Sequence, residues 1–163
     1  MSPRAAWRLE ALGFSEVYDY WPGKQDWFAA GLPSEGEVTS LPRIGGIARR
    51  DVPTCLPHET VAAARSRVEG TIFDRCLVVT ERRIVQGQLR VGKELEADPE
   101  RAAGEVMLPG PSTFRPNVSL REMAHFMDEH DFPRGAVTTS SGELIGEIRR
   151  DDVEGALAAA PDP

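Results

Sequence analysis

Cysteine is nearly missing from this chain, with two among 163 residues, Cys55 and Cys76. Each lies inside an apolar, strand-like stretch. They could pair, but two buried thiols are the expected state, because Arg4, Arg8 and Glu10 interrupt the N-terminus and no apolar h-region marks a secretory signal. A cytoplasmic location follows by default. Long apolar runs are lacking too: stretches such as Cys76 to Val79 are only a few residues, against the ~20 that a membrane-spanning helix needs. There is no surplus of positive charge. Nineteen basic against 26 acidic residues leave a net charge of −7, which argues against nucleic acid as the main partner. The three histidines, His58, His125 and His130, have no i, i+4 ligand spacing, so no metal site is expected. Neither a Ser-His-Asp or Cys-His arrangement nor a phosphate-cradling G-x-x-x-x-G-K-[ST] loop can be drawn, and no catalytic residue is assigned. What remains, 40% hydrophobic and 28% charged, is the composition of a soluble globular protein of one domain, or one domain with an appendage.

The aromatic residues are unevenly spread: seven of eleven, from Trp7 to Phe28, precede Gly36. Pro33 to Arg50 then passes through Ser34, Gly36, Pro42, Gly45 and Gly46, which reads as a linker. Ahead of it, Ser2-Pro3 starts a helix that Gly13 stops, Phe14 to Tyr20 reads as a strand, and Lys24 to Ala30 reads as a second helix ended by Gly31. A lone strand needs a partner for its backbone groups. The residues Arg4-Ala5-Ala6, Leu12-Gly13-Phe14, Val17-Tyr18, Gly23 to Trp27 and Ala30 to Pro33 give this segment a pattern that resembles the C-terminal end of a rhodanese-like domain. That family's sulfur-carrying cysteine belongs to a loop ahead of the first of these helices. The resemblance therefore implies a remnant without sulfurtransferase machinery.

Beyond the linker the chain repeats itself at a displacement of 59 residues: Thr54 falls on Thr113, Pro57 on Pro116, Val78 on Val137, Gly87 on Gly146 and Arg90 on Arg149. Each copy reads as strand, amphipathic helix, two strands forming a hairpin, and a closing helix. In the second copy Ser119 and Glu122 form a capping box with Val118 and Met123 as a staple, and Leu120, Met123, Ala124 and Met127 form the buried stripe. The methionines are expected to pack the core. Two such units related by an approximate two-fold axis bring strand ends and helix starts together into concave sites. Around them, the backbone at Ser112, Thr113, Phe114, Gly135, Ala136 and Val137 could offer hydrogen bonds to a ligand, such as the edge of a base, and a helix start near Asp152 offers oriented N–H groups. Asp152 or Asp151 equally suits a helix cap.

The duplicated half resembles a tandem pair of CBS domains, the modules named after cystathionine β-synthase. Glu105-Val106-Met107 entering Thr113-Phe114-Arg115-Pro116, and Gly146 to Asp152 leading into the last helix, carry the likeness. It implies an α+β fold of two packed β-α-β-β-α repeats and a non-enzymatic regulatory or sensor module that associates as a homodimer and acts on an unidentified protein. The effector it implies is an adenine nucleotide or adenosyl ligand, with Asp152 holding the ribose hydroxyls and Arg149 able to meet a phosphate. In the first copy the matching positions are Thr54, Leu77, Arg90 and Lys93. A lysine accepts nothing from a ribose, so this possible second cleft either stays empty or prefers phosphate. The resulting division is 1–36 for the rhodanese-like remnant, 37–50 for the linker, 51–104 for the first repeat and 105–160 for the second. The rival expectation is a protein-interaction module with vestigial clefts.

Overall fold

The structure, a computed structural model, describes residues 3–29 and 42–159. Ser119 fixes the start of α6 (Leu120–Glu129): its hydroxyl accepts the Glu122 N–H while the Glu122 carboxylate accepts the Ser119 N–H, closing the expected capping box. Leu120, Met123 and Met127 turn inward and are buried. In the first copy Thr60, the counterpart of Ser119, caps α4 (Val61–Val68) by accepting the Ala63 N–H.

The strands repeat as faithfully. β1 (Thr54–Cys55) runs parallel to β2 (Arg75–Val79), which returns antiparallel as β3 (Val85–Arg90). β5 (Thr113–Phe114), β6 (Arg134–Thr138) and β7 (Leu144–Arg149) follow the same order, and Cys55 opposes Val78 as Phe114 opposes Val137. The expected α+β architecture of two repeats is therefore present. The closing helices differ. α7 (Arg150–Ala159) has ten residues, whereas its counterpart is a single 3-10 turn, Glu94–Glu96, set between Gly92 at φ 72° and Pro99.

Residues 42–50 are no linker. α3 (Ile44–Ile47) carries apolar residues at a helical spacing, and Ile44 is fully buried against Leu120, Met123 and their neighbours in the second repeat. Arg49 bridges Glu147 of β7, the place that β4 (Leu108–Pro109) takes beside Gln88 of β3. Likewise α5 (Ala103–Val106) packs into the first repeat's core, so the division expected at residues 104 and 105 falls inside a helix. Each repeat is thus completed by the arm that precedes the other. Gly45, expected as a loosening residue, serves close packing: its N–H donates to the Pro116 carbonyl at 3.0 Å, and a side chain there would run into the Pro116 ring.

A third cluster joins the repeats, with Phe73, Leu77 and Val79 of the first against Ala136 and Leu144 of the second. Burying side chains of this size contributes about 1.5–3 kcal/mol each. Beside it lies a buried ion pair. Arg75 Nε donates to Glu147 Oε2 at 2.7 Å and Arg75 Nη1 to Gln88 Oε1 at 2.6 Å. Arg75 Nη2 is also 2.7 Å from Oε2 but off the line of a hydrogen bond, and Glu147 Oε1 has no hydrogen-bond partner among the described residues.

The N-terminal segment forms α1 (Pro3–Ala11) and α2 (Gly23–Ala29), but the strand expected over Phe14–Tyr20 does not form. Its backbone turns to local bonds, such as Phe14 N–H to Leu9 O, in place of a sheet partner. Asp26 ties the segment to the second repeat, accepting from Tyr20 Oη and from Ser140 Oγ, both at 2.8 Å. The boundary expected at residue 36, and the Gly31 to Pro33 string, lie outside the described residues.

Candidate functional site

At the ends of β1 and β2 the first repeat opens into a cavity of about 670 Å³. Thr54 and Cys55 of β1, Val79 and Thr80 at the end of β2, Glu59, and Arg67 from α4 line it. Arg67 Nη1 donates to the Thr54 carbonyl at 2.9 Å and to Glu59 Oε2 at 3.0 Å, and the Leu56 N–H reaches the same carboxylate at 2.6 Å. Arg67 and that N–H hold the Glu59 carboxyl down to about 2. Behind this wall the Cys76 thiol is pushed up by its hydrogen bond with Cys55 and by burial, and both cysteines are free, as expected.

Thr71 of the loop after α4 lines the cavity, and Ile72 and Asp74 further along that loop meet two arginines of the second repeat that are not among its lining residues. Arg149 Nη1 donates to the Ile72 carbonyl at 2.7 Å, and Arg134 forms an ion pair with Asp74. Burial, together with the nearby Arg149, pulls the Arg134 guanidinium below its ordinary value.

In the second repeat aromatic side chains stand at the corresponding positions. There Phe114 replaces Cys55, Phe126 replaces Arg67 and His130 replaces Thr71. Phe114 lies edge-on to Phe126 and Phe132, with centroids 5.2 and 5.5 Å away, and His130 stacks on Phe126 at 4.3 Å. Arg115 fills the hairpin end, donating to Thr138 Oγ1 at 2.9 Å and to the Thr139 carbonyl.

The residues expected at the main site are accordingly divided. Ser112, Thr113 and Phe114 do lie beside Gly135, Ala136 and Val137, in register on β5 and β6. The side chains of Ala136 and Val137 are fully buried in core clusters, however, and Gly135 is buried beneath the Phe114 ring. Arg149 instead reaches the first repeat. Asp152 is bound by Arg49, whose Nε and Nη2 donate to its two oxygens at 2.7 and 2.6 Å. Neither Asp152 nor Asp151 stands at the helix boundary as a cap, because α7 begins at Arg150. Among the residues of the other expected cleft, Thr54 lines the cavity, Leu77 is fully buried, Arg90 is paired with Glu94 at 2.9 and 2.6 Å, and Lys93 is exposed at the head of the 3-10 turn.

Arg49, Glu59, Arg67, Val79 and Arg134 were not expected at a site. The signal for Arg49 is the displacement itself, which sets it on Leu108 and so beside a closing strand. Gly146 permits that approach, since a side chain there would strike the Arg49 carbonyl.

Comparisons agree with this architecture. Residues 103–159 match the profile of the CBS domain. No curated protein sequence matches the chain significantly. Solved structures with the same fold include the cytosolic domain of the Mg2+ channel MgtE in complex with ATP, at 24% identity and a TM-score of 0.62 over 73% of this chain and 51% of that one. The chain thus spans about half the length of that protein's structure. The CBS domains of a transcriptional regulator from Streptococcus pneumoniae match at 18% identity and a TM-score of 0.63, covering 69% of this chain and 97% of that one. CBSX2 in complex with AMP matches at 20% identity and a TM-score of 0.61, covering 72% and 96%. The chain has the fold seen in CBS-pair structures. Among the described residues no helix is long and apolar enough to cross a membrane.

Proposed function

We propose that the chain is a regulatory module without catalysis of its own, which binds an adenine nucleotide or adenosyl ligand in the cavity of the first repeat and passes its occupancy to a partner protein. The observation that carries this reading is the cavity of about 670 Å³ at the ends of β1 and β2. Its volume suits a nucleotide, since small-molecule sites span roughly 300–1,000 Å³. Backbone groups at Thr54 and Thr80 suit the edge of a base, and Val79 suits its face. The nucleotide complexes of MgtE and CBSX2, which share the fold, support the choice of ligand class.

Titration calorimetry with AMP, ADP, ATP and S-adenosylmethionine tests it, with melting curves alongside, because a ligand that binds only the folded state raises the melting temperature. One ligand per chain is expected, the aromatic rings closing the second cleft; two sites of similar affinity, or none, would reject the assignment. A second reading, a protein-interaction module that self-associates, is favoured by the N-terminal segment, where Trp7, Tyr18 and Trp21 are 67%, 82% and 93% exposed. Sedimentation at high micromolar concentration checks it, a strictly monomeric profile counting against it.

A further inference from the structure

Arg67, on the last turn of α4, lines the cavity with its guanidinium pinned at the edge. Nη1 donates to the Thr54 carbonyl at 2.9 Å and to Glu59 Oε2 at 3.0 Å, and Nη2 donates to Glu59 Oε1. The Leu56 N–H fixes that carboxylate in turn, at 2.6 Å. Guanidinium N–H bonds lie in the plane of the group, so these contacts occupy its outer edge, yet the side chain remains 42% exposed. What Arg67 offers a ligand is therefore mainly a flat face. The second repeat shows such a face in use. Phe126 stands 59 residues after Arg67 and His130 stands 59 after Thr71. The His130 imidazole stacks on Phe126, with centroids 4.3 Å apart and planes 20° from parallel. The first repeat keeps a planar platform but has no ring to lay on it. In matched positions α4 stops two residues short of α6, and Thr71, which lines the cavity, turns its hydroxyl to the Val68 carbonyl at 2.7 Å.

We propose that Arg67 is a stacking platform that selects the ligand's heteroaromatic base, which lies over the guanidinium as His130 lies over Phe126. This rests on the nucleotide reading above and names a residue that enforces it. A guanidinium is planar and delocalised, so it stacks on aromatic rings, and the electron-rich face of the ring meets a cation. Adenine gains from both effects, and a sugar phosphate without a base gains from neither. The charges around the cavity point the same way. Asp51, Glu59 and Glu81 line it against Arg67 and Arg83, and Glu59 already neutralises Arg67, so this wall has no surplus positive charge for a phosphate. Glu59 is the positioning residue, holding the fork by its edge and leaving the face open.

The test is calorimetric titration of the full chain with AMP, ADP, ATP and S-adenosylmethionine, which carry one base, and with ribose 5-phosphate, which carries none. Wild type, R67K and R67F are compared, each checked for a cooperative melt. R67K keeps the charge and loses the plane, so whichever adenine compound binds should bind about five- to fiftyfold more weakly, as for loss of one stacked base. R67F keeps a plane, as the second repeat does, and should stay within about threefold of wild type. Ribose 5-phosphate should bind none of them detectably. A second readout needs no variant: in wild type the Arg67 Nε–H proton resonance should move upfield on saturation, because a ring stacked above it shields it. If an adenine compound binds but R67K is unaffected, or R67F loses as much as R67K, or ribose 5-phosphate binds as tightly, or the upfield shift is absent, the platform is overturned while the nucleotide reading stands. If R67F does not fold, the resonance decides. If none of the four adenine compounds binds the wild type, the nucleotide reading itself fails, and this inference with it.

Discussion

Replacing Glu147 by Gln should cost about 3 kcal/mol, a figure that follows from how the Arg75–Glu147 pair is buried. The Glu147 side chain is 1% exposed and that of Arg75 8%, so neither charge is relieved by water when its partner is lost. Gln preserves shape and volume, and it is the residue that the first repeat carries at the equivalent position, Gln88. No cavity term therefore enters. What changes is that the Arg75 guanidinium keeps one amide partner, Gln88 at 2.6 Å, and no anion. Removing one member of a buried ion pair typically costs about 3–5 kcal/mol, and the retained amide oxygen offsets some of that. Urea titration followed by far-ultraviolet circular dichroism reads the loss directly, and the melting temperature should fall by roughly 6–12 °C. The double variant R75M/E147L removes both charges while filling the same space and should recover most of the loss, as buried pairs exchanged for apolar residues commonly do. An E147Q protein within about 0.5 kcal/mol of wild type would show that the pair is hydrated or dispensable, and the account of the junction would be wrong.

Acid should weaken the fold through Glu59 and Glu94, whose carboxyls are held down to about 2, by Arg67 and the Leu56 N–H in one case and by Arg90 in the other. Their folded values lie below the unfolded one, so their stabilisation is complete above about pH 4.5 and is lost as pH falls towards 2; melting temperatures should drop across that window, and a drop equally steep in E59Q/E94Q would refute the assignment. The closing arm gives another expectation: I44A should cost about 2–5 kcal/mol by leaving a cavity under α6. A protein starting at residue 42 should melt cooperatively, whereas one starting at residue 51 should not, and calorimetry of the two separates an integral arm from a tether.

The repeat, its hairpins and the cap at Ser119 were legible because their signals are local: a hydroxyl three residues from a carboxylate, or an apolar run broken by a turn. The same locality misled at Phe14–Tyr20. That stretch has strand composition, but a strand exists only if another offers its edge, and composition does not encode which edge is free. Gly45-Gly46 misled in the opposite sense, since glycine marks close approach as often as slack, and only the distant Pro116 decides between them. At the candidate site the grouping of residues is not visible in the sequence. Arg149 ends β7 and Asp152 follows in α7, yet Arg149 reaches the first repeat's loop and Asp152 meets the arm that precedes the first repeat. Cleft membership was hidden because the two copies exchange their closing segments. The aromatic cluster is encoded at Phe114 and Phe126, which replace Cys55 and Arg67 across the repeat, beside Phe132, which matches Phe73.

That exchange gives the chain a timetable. The first sheet has all its strands once Pro109 is made, because its closing segment comes directly after it. The second sheet needs Arg49 beside Glu147, 98 residues later in the chain. At about 5–20 residues per second of synthesis, the arm waits for seconds with Ile44 and Ile47 uncovered, against the microseconds in which a hairpin closes. Two halves that look equivalent at equilibrium are therefore unequal during birth: the one made first can finish early, and the one made last is completed by residues that were among the first to appear.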